Sequence, residues 1–428
     1  MVAWRNEKVE VQVPVSYPTR PSAWARWIAR LLWSALWFWM GFRLAIPLFL
    51  RDNLFLASAV NVIIALAFGL VFGLIGLSKP SLLRSRVGFW AFGYWLVTVA
   101  SSLLSPFVTQ ENIFRVFGLL AVSGAIILAL VVFFNIFTPD RALAWAAQAY
   151  VPGVLLATFT LVLMNPSVLT LQEAGGRFGD PELLHPNSLG IAYGIGVLYL
   201  LFLRVYRTIF WQSSLAFLMM ICLFATLSKT AIAGTLVAIA LAFWLLRGGH
   251  KLRLASLLFF GGVAIALFGG NYLIDQIQVY FSSGQAETLS GRRILWDWVI
   301  DMVAERPFWG YGYQVMKDLT ARDPRFFLTW SVSIVHAHNA YLDIMFSSGY
   351  LGLSVFALFW LYSLRLLWLG SVRLRGCSLR SFLVAMFLLL VSRSFTEGAL
   401  NLGFDFWMAM TSALAIEKSL RMPKELRV

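Results

Sequence analysis

Long apolar runs separated by short polar breaks fill almost the whole chain. They fall near 31–50, 54–77, 87–104, 115–137, 144–165, 187–203, 211–228, 230–247, 254–271, 340–364, 381–396 and 400–417. Most approach or exceed the ~18–20 residues needed to cross a ~30 Å hydrocarbon core as helix. No ladder of alternating ~10-residue strands is visible, which disfavours a membrane barrel. The pattern therefore predicts an all-α, polytopic membrane protein with about 12 transmembrane helices. Residues 1–30 read as a cytoplasmic tail ending in a short interfacial helix, Trp24–Arg30, with no cleavable signal peptide evident. Helices 1–9 then occupy 31–271, a long polar loop 272–339, helices 10–12 occupy 340–417, and a cytoplasmic tail 418–428 follows.

The long loop has a helix of its own. In Gly291–Glu305, Ile294, Leu295, Trp298, Val299, Met302 and Val303 share one stripe, and Asp297, Asp301 and Glu305 share another. Ser290 can cap its start and Pro307 ends it.

Composition agrees with the pattern. The chain is 60% hydrophobic and 13% charged, against about 25% charged in soluble domains. The net charge of +14 suggests nucleic acid until its distribution is examined. The side carrying both termini holds 22 Lys and Arg against 5 acids, or +17, and the other side 12 against 15, or −3. The positive-inside rule puts the termini in the cytoplasm and makes the basic character a topology signal. Cys222 and Cys377 offer neither a disulfide framework nor a zinc spacing.

Candidate chemistry collects on the opposite, outer side. His338 closes the long loop, and imidazole is the side chain suited to general-base work near neutral pH; a helix-capping histidine is the plainer reading. His336 could make a metal pair with it, but no third ligand of suitable spacing is evident, so no metal is expected. His185 precedes Pro186-Asn187 in the 166–186 loop. Arg177, among Gly175, Gly176 and Gly179, can pair with phosphate or be solvated. Lys229 stands between two adjoining spans at a helix start, where an anion would be favoured, though snorkelling also explains it. Arg292 and Arg293 open the loop helix against its dipole, a mismatch that a bound anion or simple exposure would relieve. Such cations could neutralise a departing diphosphate while the histidine takes a proton from a hydroxyl acceptor. Arg43, inside the first span, has no role legible from sequence.

At these residues the chain resembles the bacterial O-antigen ligases and Wzy-type polysaccharide polymerases. His338-Asn339, nine residues, Gly349, two residues and Gly352 fit that superfamily's histidine motif. Gly291-Arg292 with Leu295-Trp296, the turn Pro307–Gly312, Ser228-Lys229-Thr230 and His185–Gly190 resemble its other elements, over roughly residues 170–400. The resemblance implies an inverting, metal-independent glycosyltransferase of the bacterial inner membrane with no cofactor. It would use an undecaprenyl-pyrophosphate-linked oligosaccharide donor and a glycan acceptor on the periplasmic face. It implies His338 as base and Arg292, Lys229, Arg177 and Arg293 as diphosphate-binding cations. Asn339, His336, Asn187, His185, Glu397 and Arg393 would support them. The ligase branch commonly has arginine where this chain has Lys229, which tilts the expectation toward polymerising repeat units into exopolysaccharide or O-antigen. A chain-length regulator or export machinery would be further partners. The alternative is a ligase moving finished glycan to lipid A core. A lipid-linked glycan transporter is more distant, since it calls for ionisable groups near the bilayer midplane. A scaffold protein gives no reason for the histidine motif.

Overall fold

The computed structural model describes residues 23–170, 177–180, 183–245, 292–326, 334–373, 378–398 and 400–422. Among them the protein is helical throughout, with no strand beyond one isolated bridge, Asp180–Leu184. The helices are α1 (Ala23–Phe42), α2 (Ile46–Phe49), α3 (Leu54–Ser78), α4 (Arg86–Leu104), α5 (Ile113–Ile136), α6 (Pro139–Met164), α7 (Pro186–Phe202), α8 (Ile209–Ala225), α9 (Lys229–Leu245), α10 (Arg292–Glu305), α11 (Met316–Thr320), α12 (Ala340–Arg373), α13 (Ser378–Ser394) and α14 (Phe404–Arg421). Among the described residues, six spans are long and apolar enough to cross a membrane: Arg26–Phe49, Leu54–Ser78, Arg86–Leu104, Ile113–Ile136, Pro139–Met164 and Ala340–Gly370. Shorter apolar helices occupy Pro186–Phe202, Ile209–Ala225 and Lys229–Ala242. The chain is an all-α polytopic membrane protein.

Burial separates central from peripheral spans. α5 is apolar all round, and two-thirds of its apolar window is buried against α3, α4 and α14. α3 buries only about a fifth of its window and turns Ile63, Leu70, Leu74 and Leu77 outward. Such a surface needs lipid around it, because contiguous exposed apolar area of this kind is untenable in water. α1 packs on α6, where the Trp33 indole donates to the Ala142 carbonyl and its ring stacks 3.8 Å from Phe133.

Three elements differ from the sequence expectation. The separate interfacial helix expected at Trp24–Arg30 is the first part of the continuous helix α1. That span then breaks at Arg43–Ala45, a 3₁₀ turn. Pro47 accounts for the break: it has no N–H for the Arg43 carbonyl four residues back, and the Ile46 N–H takes that carbonyl instead. The long helix expected from Ala340 is interrupted at Gly349, whose φ is +63°. The last span begins at Phe404, after a turn over 400–403. The span expected at 254–271, Ser290 and Cys377 lie outside the described residues.

Gly349 is where the polar loop docks. The turn Pro307–Gly312 lies across the broken helix: Tyr350 N–H donates to the Pro307 carbonyl, Tyr311 N–H to Phe346 and Gly312 N–H to Ser347, at 2.7, 2.8 and 2.9 Å. A Cβ on Gly349 would stand 2.3 Å from the Phe308 carbonyl oxygen, and one on Gly310 2.5 Å from that of Phe346. Both glycines also have positive φ, so the two motifs interlock through backbone that admits no side chain. From α4, Ser101 and Ser105 donate to the Trp309 and Tyr311 carbonyls. Arg115 pairs with Asp318 at 2.6 Å, fastening the loop to the start of α5.

Candidate functional site

Three breaks between helices meet at one end of the bundle: the loop before α7, the loop before α12 and the turn between α13 and α14. Each is set by local chemistry. His185 caps α7, its Nδ1 accepting from the Asn187 N–H at 3.2 Å, with Pro186 at the first helical position. Asn339 caps α12, its Oδ1 accepting from Tyr341 and Leu342 N–H at 3.0 and 3.2 Å. The asparagine after the histidine thus starts the helix that the histidine precedes. His338 has φ +50°, a left-handed conformation uncommon outside glycine that is held here by its surroundings.

The loop helix α10 holds the histidine loop from the other side. It buries Leu295, Trp298, Val299 and Val303 as the stripe predicts, but Ile294 is exposed. The Trp296 indole donates to the Ala337 carbonyl at 2.9 Å, between the two histidines. From within the bundle, Asp343 accepts from the Ala337 N–H at 3.2 Å and from Asn401 Nδ2 at 3.0 Å. Asn401 in turn accepts from the Tyr94 hydroxyl at 2.6 Å. Asp343, Asn401 and Tyr94 were missed in the sequence. Only Asp343 left a signal there, as a lone acid in the first turn of an apolar helix.

Glu397 sits at the centre. Its carboxylate faces His338 Nδ1 at 3.4 Å and His336 Nε2 at 3.8 Å. The two imidazoles stand edge to face, 4.4 Å between centroids. On its other side Glu397 accepts from Asn187 Nδ2 at 3.0 Å. Asn187 Oδ1 accepts from the Arg177 guanidinium at 2.6 Å, and Arg177 Nε donates to the Thr226 carbonyl at 3.0 Å. A polar chain thus runs from the α8–α9 break through Arg177, Asn187 and Glu397 to His338. Close packing makes this possible: a Cβ on Gly190 would lie 2.9 Å from the Ser228 Cβ and 3.0 Å from the Ala231 Cβ.

The cations surround this chain. Lys229 is exposed, begins α9 after Leu227 at φ +47°, and shares its field with Arg177. Arg292, one turn before Trp296, acts electrostatically on His338. Arg293 is exposed beside it. Arg393 pairs with Asp405 at 2.8 Å and lies near enough to Glu397 to stabilise its charge.

Burial pushes the Glu397 carboxyl up, but the His338 imidazole beside it, then Arg393 and His336, pull it further down, to about 2. Burial pushes His338 below the usual imidazole range; Glu397 pulls it back up, and His336 and Arg292 oppose that pull. The two influences compete within one pair. Ionised Glu397 beside a neutral imidazole accommodates both directions near neutral pH. His185 is also lowered, by burial first and then by Arg177. With Nδ1 turned to Glu397, His338 has Nε2 left as the nitrogen for a proton from outside.

One expectation is corrected by the tertiary arrangement. Glu397 supplies the third donor that sequence spacing lacked, since donor atoms of His336, His338 and Glu397 lie within 4.8 Å of one another. These three residues could hold a small divalent cation by distance.

Residues 214–357 match a family model described as O-antigen ligase. No curated protein matches the chain significantly. The matched stretch holds Lys229, Arg292, Trp296, the Pro307–Gly312 turn, both loop histidines and Gly349. Arg177, Asn187 and Glu397 lie outside it and reach the site only through the fold. Over residues 214–357, about a third of its length, the chain is similar to the O-antigen ligase family.

Proposed function

We propose that this protein is a membrane glycosyltransferase that polymerises oligosaccharide repeat units carried on undecaprenyl pyrophosphate. The site end of the bundle then faces the periplasm, and both termini the cytoplasm of a bacterial inner membrane. One observation carries the reading: an imidazole lies 3.4 Å from a buried carboxylate that ends a hydrogen-bonded chain from Arg177, with Lys229 and Arg292 contributing to the same electrostatic field.

In this reading an acceptor hydroxyl approaches His338 Nε2 and gives up its proton as its oxygen attacks the anomeric carbon. The bond from that carbon to the diphosphate oxygen breaks on the opposite face, inverting the centre. Its electron pair stays on the diphosphate, whose growing charge is met by Lys229, Arg292 and Arg177. Glu397 stabilises the imidazolium that forms. Fixed cations at the point where charge develops need little reorganisation during the step. The general-base contribution is expected at about 10²–10⁴-fold in rate.

The match to a model described as O-antigen ligase favours a second reading, transfer of finished glycan to a lipid A core acceptor. A His338→Ala strain separates the two. Accumulated single lipid-linked repeats with no long polymer support polymerisation. Long lipid-linked polymer left unattached supports ligation. Normal polymer and normal attachment in a correctly inserted variant would remove His338 from the mechanism. Purified protein with a defined lipid-diphosphate oligosaccharide should keep its transfer rate in chelator; loss of activity restored by a divalent metal would reassign His336, His338 and Glu397 as ligands.

A further inference from the structure

Beneath the histidine cluster lies a cavity of about 180 Å³, lined by Arg43, Tyr150, Ser188, Arg393, Phe404 and Asp405 among others. It far exceeds the ~10–15 Å³ that one water needs. Ser188, one of its lining residues, is exposed and is the neighbour of Asn187 in the polar chain. The helix break that Pro47 forces sets Arg43 against this space, where its guanidinium lies 5.3 Å from the Phe404 ring and 5.0 Å from that of Trp407. Stacking of this kind holds the guanidinium faces and leaves N–H edges for a ligand.

Three buried polar atoms here lack a protein partner: Arg43 Nε, Arg393 Nη1 and Asp405 Oδ1. Arg393 is 4% exposed and Asp405 1%, and their one mutual bond, Nε to Oδ2, leaves the other two atoms over. Buried unpaired groups of this kind are costly, the more so when charged. The complementary ligand has acceptors for two guanidinium edges, a hydroxyl for Asp405, and one negative charge to balance two arginines against one aspartate. A phosphate with an ionisable hydroxyl meets all three requirements, since its second pKa is about 6. A diphosphate esterified at both ends has no such hydroxyl.

We propose that this cavity is a phosphate site selective for a monoesterified or free phosphate group. Resting on the transferase reading, its natural occupant is the terminal phosphate of the leaving lipid diphosphate. When the anomeric carbon–oxygen bond breaks, that phosphate keeps the oxygen and the electron pair and takes up one proton from solvent as His338 releases there the proton it received from the acceptor, so the phosphate gains the hydroxyl that the donor lacked. The site then distinguishes product from donor.

The test is equilibrium binding to the full chain in lipid nanodiscs, with farnesyl diphosphate, inorganic phosphate and a diphosphate diester (a nucleoside diphosphate sugar) as probes. Farnesyl diphosphate should bind, and Arg43→Gln should weaken it at least tenfold. Ala192→Leu, which fills the cavity without touching a charge, should do the same should Arg43→Gln prove unstable on thermal unfolding. Neither change should alter diester binding. If inorganic phosphate binds with the same sensitivity, free phosphate is an occupant; if only the prenyl compound does, the lipid diphosphate is. No binding by the wild type, or wild-type affinity in both cavity variants, overturns the site and makes it a hydrated space only. Affinity lost in Lys229→Gln alone would sink this site and leave the transferase reading standing. Affinity lost in the cavity variants, with no glycan transfer by the wild type, would do the reverse.

Discussion

The Trp296 indole N–H donates to the Ala337 carbonyl at 2.9 Å, tying α10 to the short strand of chain between His336 and His338. One helix thereby carries both the bond that positions the imidazole and, a turn earlier, Arg292. A shift of α10 would move cation and base together.

Trp296→Phe keeps the ring and deletes the donor. It should lower kcat by about 10²-fold, the scale expected when a reacting group is misplaced by ~1 Å, while KM for the donor changes little. Stability should fall by only about 1 kcal/mol, the net worth of a typical hydrogen bond. Steady-state kinetics beside a thermal melt would check both. A wild-type kcat would mean that Asp343 alone suffices to hold the loop.

Neutral His338 is the form that accepts a proton, and burial lowers its pKa from the usual 6.5. Activity should therefore be full near neutral pH and fall on an acid limb centred below 6.5 in kcat/KM. Glu397 favours the protonated imidazole, so Glu397→Gln should move this limb to still lower pH as well as lowering kcat. A limb that moves upward in Glu397→Gln would show that the carboxylate does not act on His338.

Lys229 begins α9 with its charge exposed at the site. If it acts on diphosphate charge, Lys229→Ala and Lys229→Gln should each lose about 10²–10³-fold in kcat, as when one electrostatic donor is removed from an active site. Lys229→Arg should keep more activity than either. Equal loss in all three, measured as glycan transfer by purified protein, would argue against a simple charge role.

Gly349→Ala places a methyl 2.3 Å from the Phe308 carbonyl oxygen, at a φ of +63°. With ψ −167° this is backbone that glycine alone adopts readily, so the backbone should cost about 1–3 kcal/mol, and the clash adds to it because it is against main chain. The expected result is a lower thermal midpoint and a displaced Pro307–Gly312 turn, read by its sensitivity to protease. An unchanged melt would mean that the turn and the helix are not interlocked.

The class of protein was legible in the chain itself. An apolar run long enough for a bilayer needs no partner to declare itself, so the spans at α3–α6 and α12 and the amphipathic stripe of α10 could be read directly. The short motifs were legible too, because each is a local device: His185 and Asn339 are caps, Pro307 stops a helix, and Gly349 gives way to another backbone. Tertiary structure alone decided what these devices are for. It brought Glu397, which is 59 positions beyond His338, within 3.4 Å of that imidazole, and made Asn187 the link to Arg177. It also gave Arg43 aromatic neighbours and a cavity. Side-chain periodicity records which face of a helix is apolar, but carries no information on which distant helix supplies the partner. Buried charge must be paired across the bundle, and that pairing exists only once the helices have packed.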